Sequence, residues 1–586
     1  MLEENGVTFI GPKADTIKEM GDKIRSKMIA EKAGVKHIPG FVGAIRDEQH
    51  LLEVAHSIGY PVMVKAAHGG GGKGMRRANN DEELIEGYRL SLAEARTAFN
   101  SSVMLVEKFI EDPRHIEFQV LGDAHGNAVY VFERECSVQR RNQKLVEEAP
   151  STFLTPEQRE RIGSEAVAIA KISRYQNAGT VEFLMGKDGQ HYYLEMNTRL
   201  QVEHPITEMI SGLDLVEQQI RVAAGLPLEI KQSDLKINGW AVESRVCAED
   251  PLNNFLPSVG PLTKFIPPKD VRVDLGFVEG DNITIYYDSL LAKVISHGAN
   301  RKEALEIQKR ALDSTVIRGI NHNICFLREV MEHPKFVAGQ LTTNFIAQNF
   351  PKGFTGHILT ASEKQALISA AMAVYTRQKF VEASVSPTDI QDLVSSRLTD
   401  LHMVAKLDGE EAERFNFSVL GSQEDEDGNV VFEAQLNPDG TDNVIPVQFA
   451  STYDPSEIVF EVQSQDKIYT LQTVTTQRGA SKFTLSFMGT HFDFEVYTKR
   501  ERELNQFMPE PEVIDLTKSV ISPMPGSVAH LRVKPGDQVA AGQELIVLEA
   551  MKMQNSLKAL KPSVVKAVHV KHGDTVAADQ LLIELE

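Results

Sequence analysis

The chain has 586 residues, 82 acidic and 62 basic side chains, and a formal net charge of −20. At roughly 100–200 residues per domain, that length predicts about three to five domains with cores of their own. The acidic balance excludes broad nucleic-acid or membrane-surface binding, yet leaves room for a local basic pocket that takes a phosphate substrate.

Three cysteines, Cys136, Cys247 and Cys325, lie far apart without a CxxC spacing. They exclude a disulfide framework and a zinc site, and fit a reducing compartment. No apolar run reaches the ~20 residues of a membrane span. The acidic start, Met1–Asn5, has neither the Arg-rich nor the apolar run of a targeting peptide. Val7–Ile10, closing on Gly11-Pro12, predicts a buried strand and turn entered with almost no lead-in, as if the chain began partway through a domain.

Helical patterns alternate with short apolar strands from Gly11 to about Phe350. Strands are predicted at Pro61–Lys65, Val103–Glu107, Glu117–Val120, Val129–Phe132 and Tyr192–Glu195. Helices are predicted at Asp47–Ile58, Asp81–Thr97, Pro156–Ile172 and Arg301–Asp313, so the region is α+β or α/β. The pattern changes near Asn349-Phe350-Pro351. Thr360–Phe380 reads as one helix, started by a Thr360/Glu363 capping box, with Leu367, Ile368, Ala371, Met372 and Tyr375 along one face. From about Leu401 to Thr498 strands dominate: Phe483, Leu485 and Phe487, then Phe492, Phe494 and Val496, alternate with polar residues. An antiparallel sheet or barrel is expected, with the helix packed on or through it.

Gln506–Val513 carries two prolines and several acids and reads as an extended linker. Beyond it the chain repeats itself. Val533–Glu549 aligns with Val570–Glu586 at a constant offset, with Gly536-Asp537 and Gly573-Asp574 as matching turns. Two similar β-halves predict a small sandwich with two-fold pseudosymmetry, and the segment Ala550–Val564 joining them would contain an exposed hairpin.

Several residue groups could carry chemistry. His68–Met75 holds consecutive glycines after a strand, a backbone that can approach phosphate oxygens closely. Gly74 stands where a Walker A loop needs Ser or Thr, and alone the segment would read as a flexible turn. Lys65 at the strand's end could offer a point charge. Glu182 precedes Glu195-Met-Asn-Thr-Arg-Leu-Gln-Val-Glu203. On a strand Glu195, Asn197 and Arg199 share a face, and two carboxylates with an amide oxygen suit Mg²⁺ or Mn²⁺. Arg199 could bind a small oxyanion and Glu203 act as a base beside it. Two basic clusters, Gln139–Lys144 and the run around Arg245, could serve the same site or be salt-bridged surface. In the repeat unit, Lys552 stands between Met551 and Met553 in the joining segment. A tip lysine is usually a solvated charge, but flanking methionines are unusual there.

Glu549-Ala-Met-Lys-Met553 resembles the attachment motif of biotinyl carrier domains, in which biotin joins the central lysine; lipoyl domains typically place an acid before theirs. The runs FIGPKADTIKEMGDK, PRHIEFQ, ECSVQRRNQKLVEEAP, EMNTRLQVEHP and INGWAVESRVCAEDP, with the glycine loop, resemble biotin carboxylase, an ATP-grasp enzyme. Together with the helix-barrel segment, they identify the chain as similar to the alpha subunits of biotin-dependent acyl-CoA carboxylases of the propionyl-CoA type, from Leu2 to Glu586. The resemblance implies a multidomain α+β chain: a biotin carboxylase region over 1–350 (ATP-grasp about 23–225, C-terminal subdomain about 234–345), a helix-barrel bridging domain over 351–505, a linker over 506–516 and an all-β biotinyl carrier over 517–586. It also implies that the family's N-terminal subdomain is missing before Leu2.

Residue by residue, the resemblance implies that Lys23, Lys65, Gly69, Gly70, Gly71, Gly72, Glu107, His115 and Gln139 meet ATP, with Gly69–Gly74 as the flap over its phosphates. Glu182, Glu195 and Asn197 would hold Mg²⁺ or Mn²⁺. Arg199, Gln201 and Val202 would cradle bicarbonate, with Arg199 also a catalytic residue, Glu203 as base, Lys144 as a second oxyanion contact and Arg245 facing the biotin ureido oxygen. Asn142 stands where single-function bacterial biotin carboxylases carry a nucleotide-contacting His, which reads as subfamily identity.

The implied reaction is ATP-dependent carboxylation of biotin on Lys552 by bicarbonate, through carboxyphosphate. The carboxyl group then passes to a separate carboxyltransferase beta subunit, which converts propionyl-CoA to methylmalonyl-CoA. The resemblance also implies a dodecamer, biotinylation by a biotin protein ligase, no nucleic-acid or membrane partner, and residence in the mitochondrial matrix or a bacterial cytoplasm. Alternative readings are a biotinylated carrier and assembly subunit without ATPase activity, an acetyl- or methylcrotonyl-CoA carboxylase alpha subunit, and an ATP-grasp ligase with another substrate.

Overall fold

The computed structural model describes residues 2, 5–67, 75–99, 102–383, 398–407, 412–424, 430–438, 444–476, 481–508, 518–550 and 553–586. It divides into two compact units: Met1–Arg245, Lys293–Gln308 and Met331–Lys352 form the first, and Val246–Ala292, Lys309–Val330 and Gly353–Glu586 the second.

In the first unit, α1 (Ala14–Gly21) leads into α2 (Lys23–Lys32), whose start is fixed by Asp22 accepting hydrogen bonds from the Ile24 and Arg25 amides. Helix α3 (Glu48–Ile58) is capped by Asp47. Strands β1 (Val62–Ala66), β2 (Met75–Ala78) and β3 (Met104–Lys108) form an antiparallel sheet in the order β2-β1-β3. With α4 (Asp81–Phe99) and α3, this sheet buries Leu51, Val54, Val62, Val64, Leu84 and Val106. Gly40 lies against β3, where a Cβ would sit 2.7 Å from the Val106 carbonyl oxygen, so only glycine fits.

The larger sheet contains β4 (Arg114–Gly122), β5 (Ala128–Arg140), β6 (Gln143–Ala149), β7 (Asn177–Met185), β8 (His191–Asn197) and β9 (Trp240–Cys247) in the antiparallel order β9-β6-β5-β4-β7-β8. Its two faces separate by strand periodicity. Ile116, Phe118 and Val120 of β4 join Val181 and Phe183 of β7 in a core with Ile162, Ala166 and Ile169 of α5 (Pro156–Ile172). Glu117 and Gln119, between them in sequence, face the other way and are equally buried. Helix α5 starts with a reciprocal Thr155–Gln158 capping box. Helices α6 (His204–Ser211) and α7 (Leu215–Ala223) follow β8, and Leu215 closes a small core with Leu121, Val131 and Ala178.

In the second unit, the helix Ala361–Ala383 begins at the expected box, with Thr360 and Glu363 bonded to one another. The eight antiparallel strands from Leu401–Lys406 to Thr490–Tyr497 close into a barrel. The single apolar face expected for the helix is too narrow: every residue from Ala366 to Thr376 is buried. They share one core with inward residues of the barrel, including Met403, Phe417, Phe432, Phe449, Val462, Leu485 and Phe494. A helix apolar all round belongs to an interior, and the barrel supplies partners in every direction.

His357, just before that helix, lies 2.8 Å from Glu329 and 3.2 Å from Glu363. Burial opposes its charge, but the two carboxylates outweigh burial and raise its pKa above the ordinary value. Its contribution is therefore fully present below about pH 6.5 and lost as pH rises through the raised value. Urea melts of wild type and His357→Phe should show a stability gap that shrinks as pH increases; a gap constant across that range contradicts the pairing.

The C-terminal residues form two four-stranded sheets. One has the order Ser519–Ile521, Leu581–Leu585, Ser563–Val568, Gln538–Val539, and the other Met553–Lys558, Glu544–Ala550, Gly526–Leu531, Thr575–Val576. The sequence repeat maps Gln538–Val539 onto Thr575–Val576 and Glu544–Ala550 onto Leu581–Leu585, each in the opposite sheet, as the internal two-fold predicts. Gly536 (φ +93°) and Gly573 (φ +86°) occupy equivalent left-handed turn positions. The expected hairpin is present, with Ala550 paired to Met553. Lys552 lies outside the described residues, as do Gly69–Gly74 and residues 509–516 of the expected linker.

One expected element is absent. Val7, Phe9 and Ile10 form no strand and are about half exposed. A short apolar run becomes a strand only beside a ladder partner, and none is present among the described residues.

Candidate active site

The polar face of the larger sheet is a buried network of charges. Lys144, on β6, points its ammonium at three carboxylates: Glu117 on β4 at 2.5 Å, Glu203 at 2.6 Å and Glu182 on β7 at 3.1 Å. Glu117 and Glu182 are direct partners in the β4–β7 register, which places like charges together unless a cation joins them. Arg134, on β5 and fully buried, bonds Glu117 at 2.5 Å and also donates to Gln119, Thr207 and Thr180. Arg245, on β9, bridges Glu147 at 2.7 Å and Glu203 at 2.9 Å. His115 lies 3.1 Å from Glu182 on one side and accepts from Gln139 at 2.9 Å on the other.

The turn that carries Lys144 comes from the polar run at Gln139–Lys144. It is the hairpin between β5 and β6, and Arg141 (φ +50°) and Asn142 (φ +64°) take the left-handed conformations of a tight two-residue turn. Burial would raise the Glu203 carboxyl, but Lys144, Arg245 and Arg134 outweigh burial and hold it well below the usual carboxylate range. Burial likewise opposes the Lys144 ammonium, and Glu117, Glu182 and Glu203 raise its pKa well above the ordinary lysine value.

Glu182 and Glu195 are paired across β7 and β8, and the Asn197 side chain donates to Glu182 at 2.9 Å. Two carboxylates opposite each other with an amide beside them form a hard-oxygen donor set, and a divalent cation would relieve their repulsion. The residues therefore fit Mg²⁺ or Mn²⁺. Arg199 departs from the expected strand face: β8 ends at Asn197, and Arg199 is exposed in the following bend, where it donates to the Leu200 carbonyl and to Gln201 Oε1, both at 3.1 Å. The carbonyl of Val202 accepts from Lys293 at 3.0 Å.

A second cluster lies at the end of β1. Lys65 and Lys27 both pair with Glu107 of β3, all three 5% exposed or less. Lys23, one turn before Lys27 on α2, adds repulsion to Lys27 and Lys65. The site thus brings together Lys23, Lys65 and Glu107, and separately His115, Gln139, Lys144, Glu182, Glu195, Asn197, Glu203 and Arg245. Sequence reasoning missed Lys27, Glu117, Arg134, Glu147 and Glu243. For Lys27 there was a signal: it follows Lys23 by four residues and shares a helical stripe with Ala30.

Residues 22–231 match the carbamoyl-phosphate synthase L chain ATP-binding domain family, 243–348 the biotin carboxylase C-terminal domain, 367–510 the propionyl-coenzyme A carboxylase BT domain and 518–585 the biotin-requiring enzyme family. The biotin carboxylase domain of Hydrogenobacter thermophilus 2-oxoglutarate carboxylase, solved with MgADP, ADP and bicarbonate, is 47% identical. It has a TM-score of 0.59 and covers 59% of this chain and 77% of its own. The fold is therefore an ATP-grasp biotin carboxylase core followed by a helix-filled barrel and a biotinyl sandwich. The human mitochondrial propionyl-CoA carboxylase alpha chain is 47% identical over 570 residues, covering 96% of this chain and 75% of the relative. The Ruegeria pomeroyi propionyl-CoA carboxylase alpha chain is 42% identical over 584 residues, covering 96% and 82%. The chain belongs to the propionyl-CoA carboxylase alpha-chain family of biotin-dependent carboxylases.

Proposed function

We propose that this chain uses ATP and bicarbonate to carboxylate biotin attached to Lys552, as the alpha subunit of a propionyl-CoA carboxylase completed by a carboxyltransferase beta subunit. The carrying observation is the arrangement of Lys144, Glu203 and Arg245: one buried carboxylate joins a lysine already bound to Glu182 and an arginine on the next strand.

Glu203 takes the bicarbonate proton as bicarbonate attacks the γ-phosphate of ATP. Arg199 and Gln201 hold the anion, already linked side chain to side chain. Lys144 offsets the charge that develops on the oxyanion. Lys23 and Lys65 meet the phosphates, and Glu107, His115 and Gln139 complete the nucleotide pocket. Glu182, Glu195 and Asn197 would hold a divalent cation, which offsets charge on the transferring phosphoryl group. The attack expels ADP and gives carboxyphosphate, which breaks into CO₂ and phosphate; biotin would supply the ureido nitrogen that takes the CO₂, its proton leaving on phosphate, and Arg245 would face the ureido oxygen. The named relatives support either a mitochondrial or a bacterial setting.

Bicarbonate-dependent ATP hydrolysis with free biotin tests the reaction, and a well-folded chain without it favours a carrier role alone. Streptavidin blotting of wild type and Lys552→Ala, co-expressed with a biotin ligase, tests the attachment site. The signal should vanish in the variant, and an equal signal would move biotin to another lysine.

A further inference from the structure

We propose that Glu147 and Glu243 act as a single counterion for Arg245, carrying one negative charge and one proton between them: Glu147 is the positioning residue that holds the guanidinium, and Glu243 is a neutral acid behind it. The catalytic meaning of this pair rests on the role given above to Arg245, but its protonation does not.

The two side chains belong to neighbouring strands and are direct partners in the β6–β9 register. Both are fully buried. Glu147 Oε1 accepts from Arg245 at 2.7 Å. Its other oxygen and both oxygens of Glu243 have no hydrogen-bond partner among the described residues. An ionised, unpartnered carboxylate in an interior costs several kcal/mol, so a proton is the cheaper solution. The register puts the two side chains on one face of neighbouring strands, so Glu147 is the carboxylate across from that proton.

Charge matching leads to the same arrangement. The groups that face the pair are Arg245 of β9, Lys144 of β6, Glu203 at the start of α6 and Lys293 of the strand Leu290–Gly298. Lys144 is already shared by Glu117, Glu182 and Glu203, and Lys293 donates to the Val202 carbonyl. With Glu243 ionised, three carboxylates would surround Arg245 and pin it. With Glu243 neutral, one carboxylate fewer holds Arg245, and it can turn towards a substrate oxygen at lower cost. Burial pushes the Glu243 carboxyl well up, with Glu147 adding to it; burial raises Glu147 to about 7 against the opposing pull of Arg245.

Infrared spectroscopy of the full chain at neutral pH reads the proton directly. A carbonyl band of a protonated carboxylic acid should be present in wild type and lost in Glu243→Gln. Glu243→Met serves as the second neutral variant should the amide fold poorly. A wild-type spectrum without that band, or a band whose intensity neither substitution lowers, overturns the proposal. The second arm follows turnover. Glu147→Gln should lower kcat for bicarbonate-dependent ATP hydrolysis about ten- to a hundredfold, by loosening Arg245, with KM for ATP changed less than about twofold. Glu147→Asp should recover part of the loss. An equal effect on kcat and KM, or no recovery, removes Glu147 from the positioning role. A wild-type chain without turnover would count against the functional reading, while the infrared result would still decide the proton.

Discussion

Glu203→Gln should reduce bicarbonate-dependent ATP hydrolysis by about 10²–10⁴-fold, the range for removing a general base. The amide keeps the shape of the side chain and can still meet Lys144 or Arg245 through its oxygen, so thermal stability should change far less than rate. The free protein holds this carboxylate well below its ordinary pKa, after burial is outweighed by Lys144, Arg245 and Arg134. So stabilised, it is a weak base. In the proposed reaction it would gain basicity as Lys144 and Arg245 turn from it to the charges of the substrates, which would couple proton removal to substrate arrival. Steady-state assays with saturating ATP and varied bicarbonate check this. Activity within about threefold of wild type would assign the base elsewhere.

Lys144→Met should have the larger structural effect. The substitution leaves Glu117, Glu182 and Glu203 without the ammonium that all three share. Breaking a buried ion pair from one side costs about 3–5 kcal/mol, because the remaining charges stay buried. Activity should be lost as well. Without the ammonium, the carboxylates bind protons more readily in the folded variant than in wild type, so the stability gap should be largest near pH 8 and shrink as pH falls towards the carboxylate range. Denaturant melts at several pH values measure it; a gap that widens on acidification contradicts the assignment.

The sequence was most legible where one strand presents several unlike polar groups in alternation. Glu195 and Asn197 met Glu182 as the period of a strand requires. Arg199 did not stay on that strand, because the ladder ends at Asn197 and a short sequence gives no sign of where hydrogen bonding stops. Glu117, Arg134, Glu147 and Glu243 were hidden for a different reason. Their strands are buried on both faces, with charged residues at positions that a one-sided sheet would give to solvent. Only the pairing of strands distant in sequence reveals that each has a partner. Lys27 illustrates the same limit on a helix, since its counterion Glu107 lies on a strand 80 residues away in the chain. The repeat in the C-terminal sandwich needed no such information, because both halves carry their own turns and spacing.

The helix enclosed by the barrel imposes an order of events during synthesis. Ala361–Ala383 leaves the ribosome before any strand that will surround it, and closure waits until Leu401–Lys406 pairs with Thr490–Tyr497, about a hundred residues after the helix. For that interval the mostly apolar stretch Ala366–Thr376 has nothing to shield it, a state that invites aggregation or chaperone capture. Nascent chains stalled between these two strands should therefore bind holdase chaperones, and release them once the last strand has emerged.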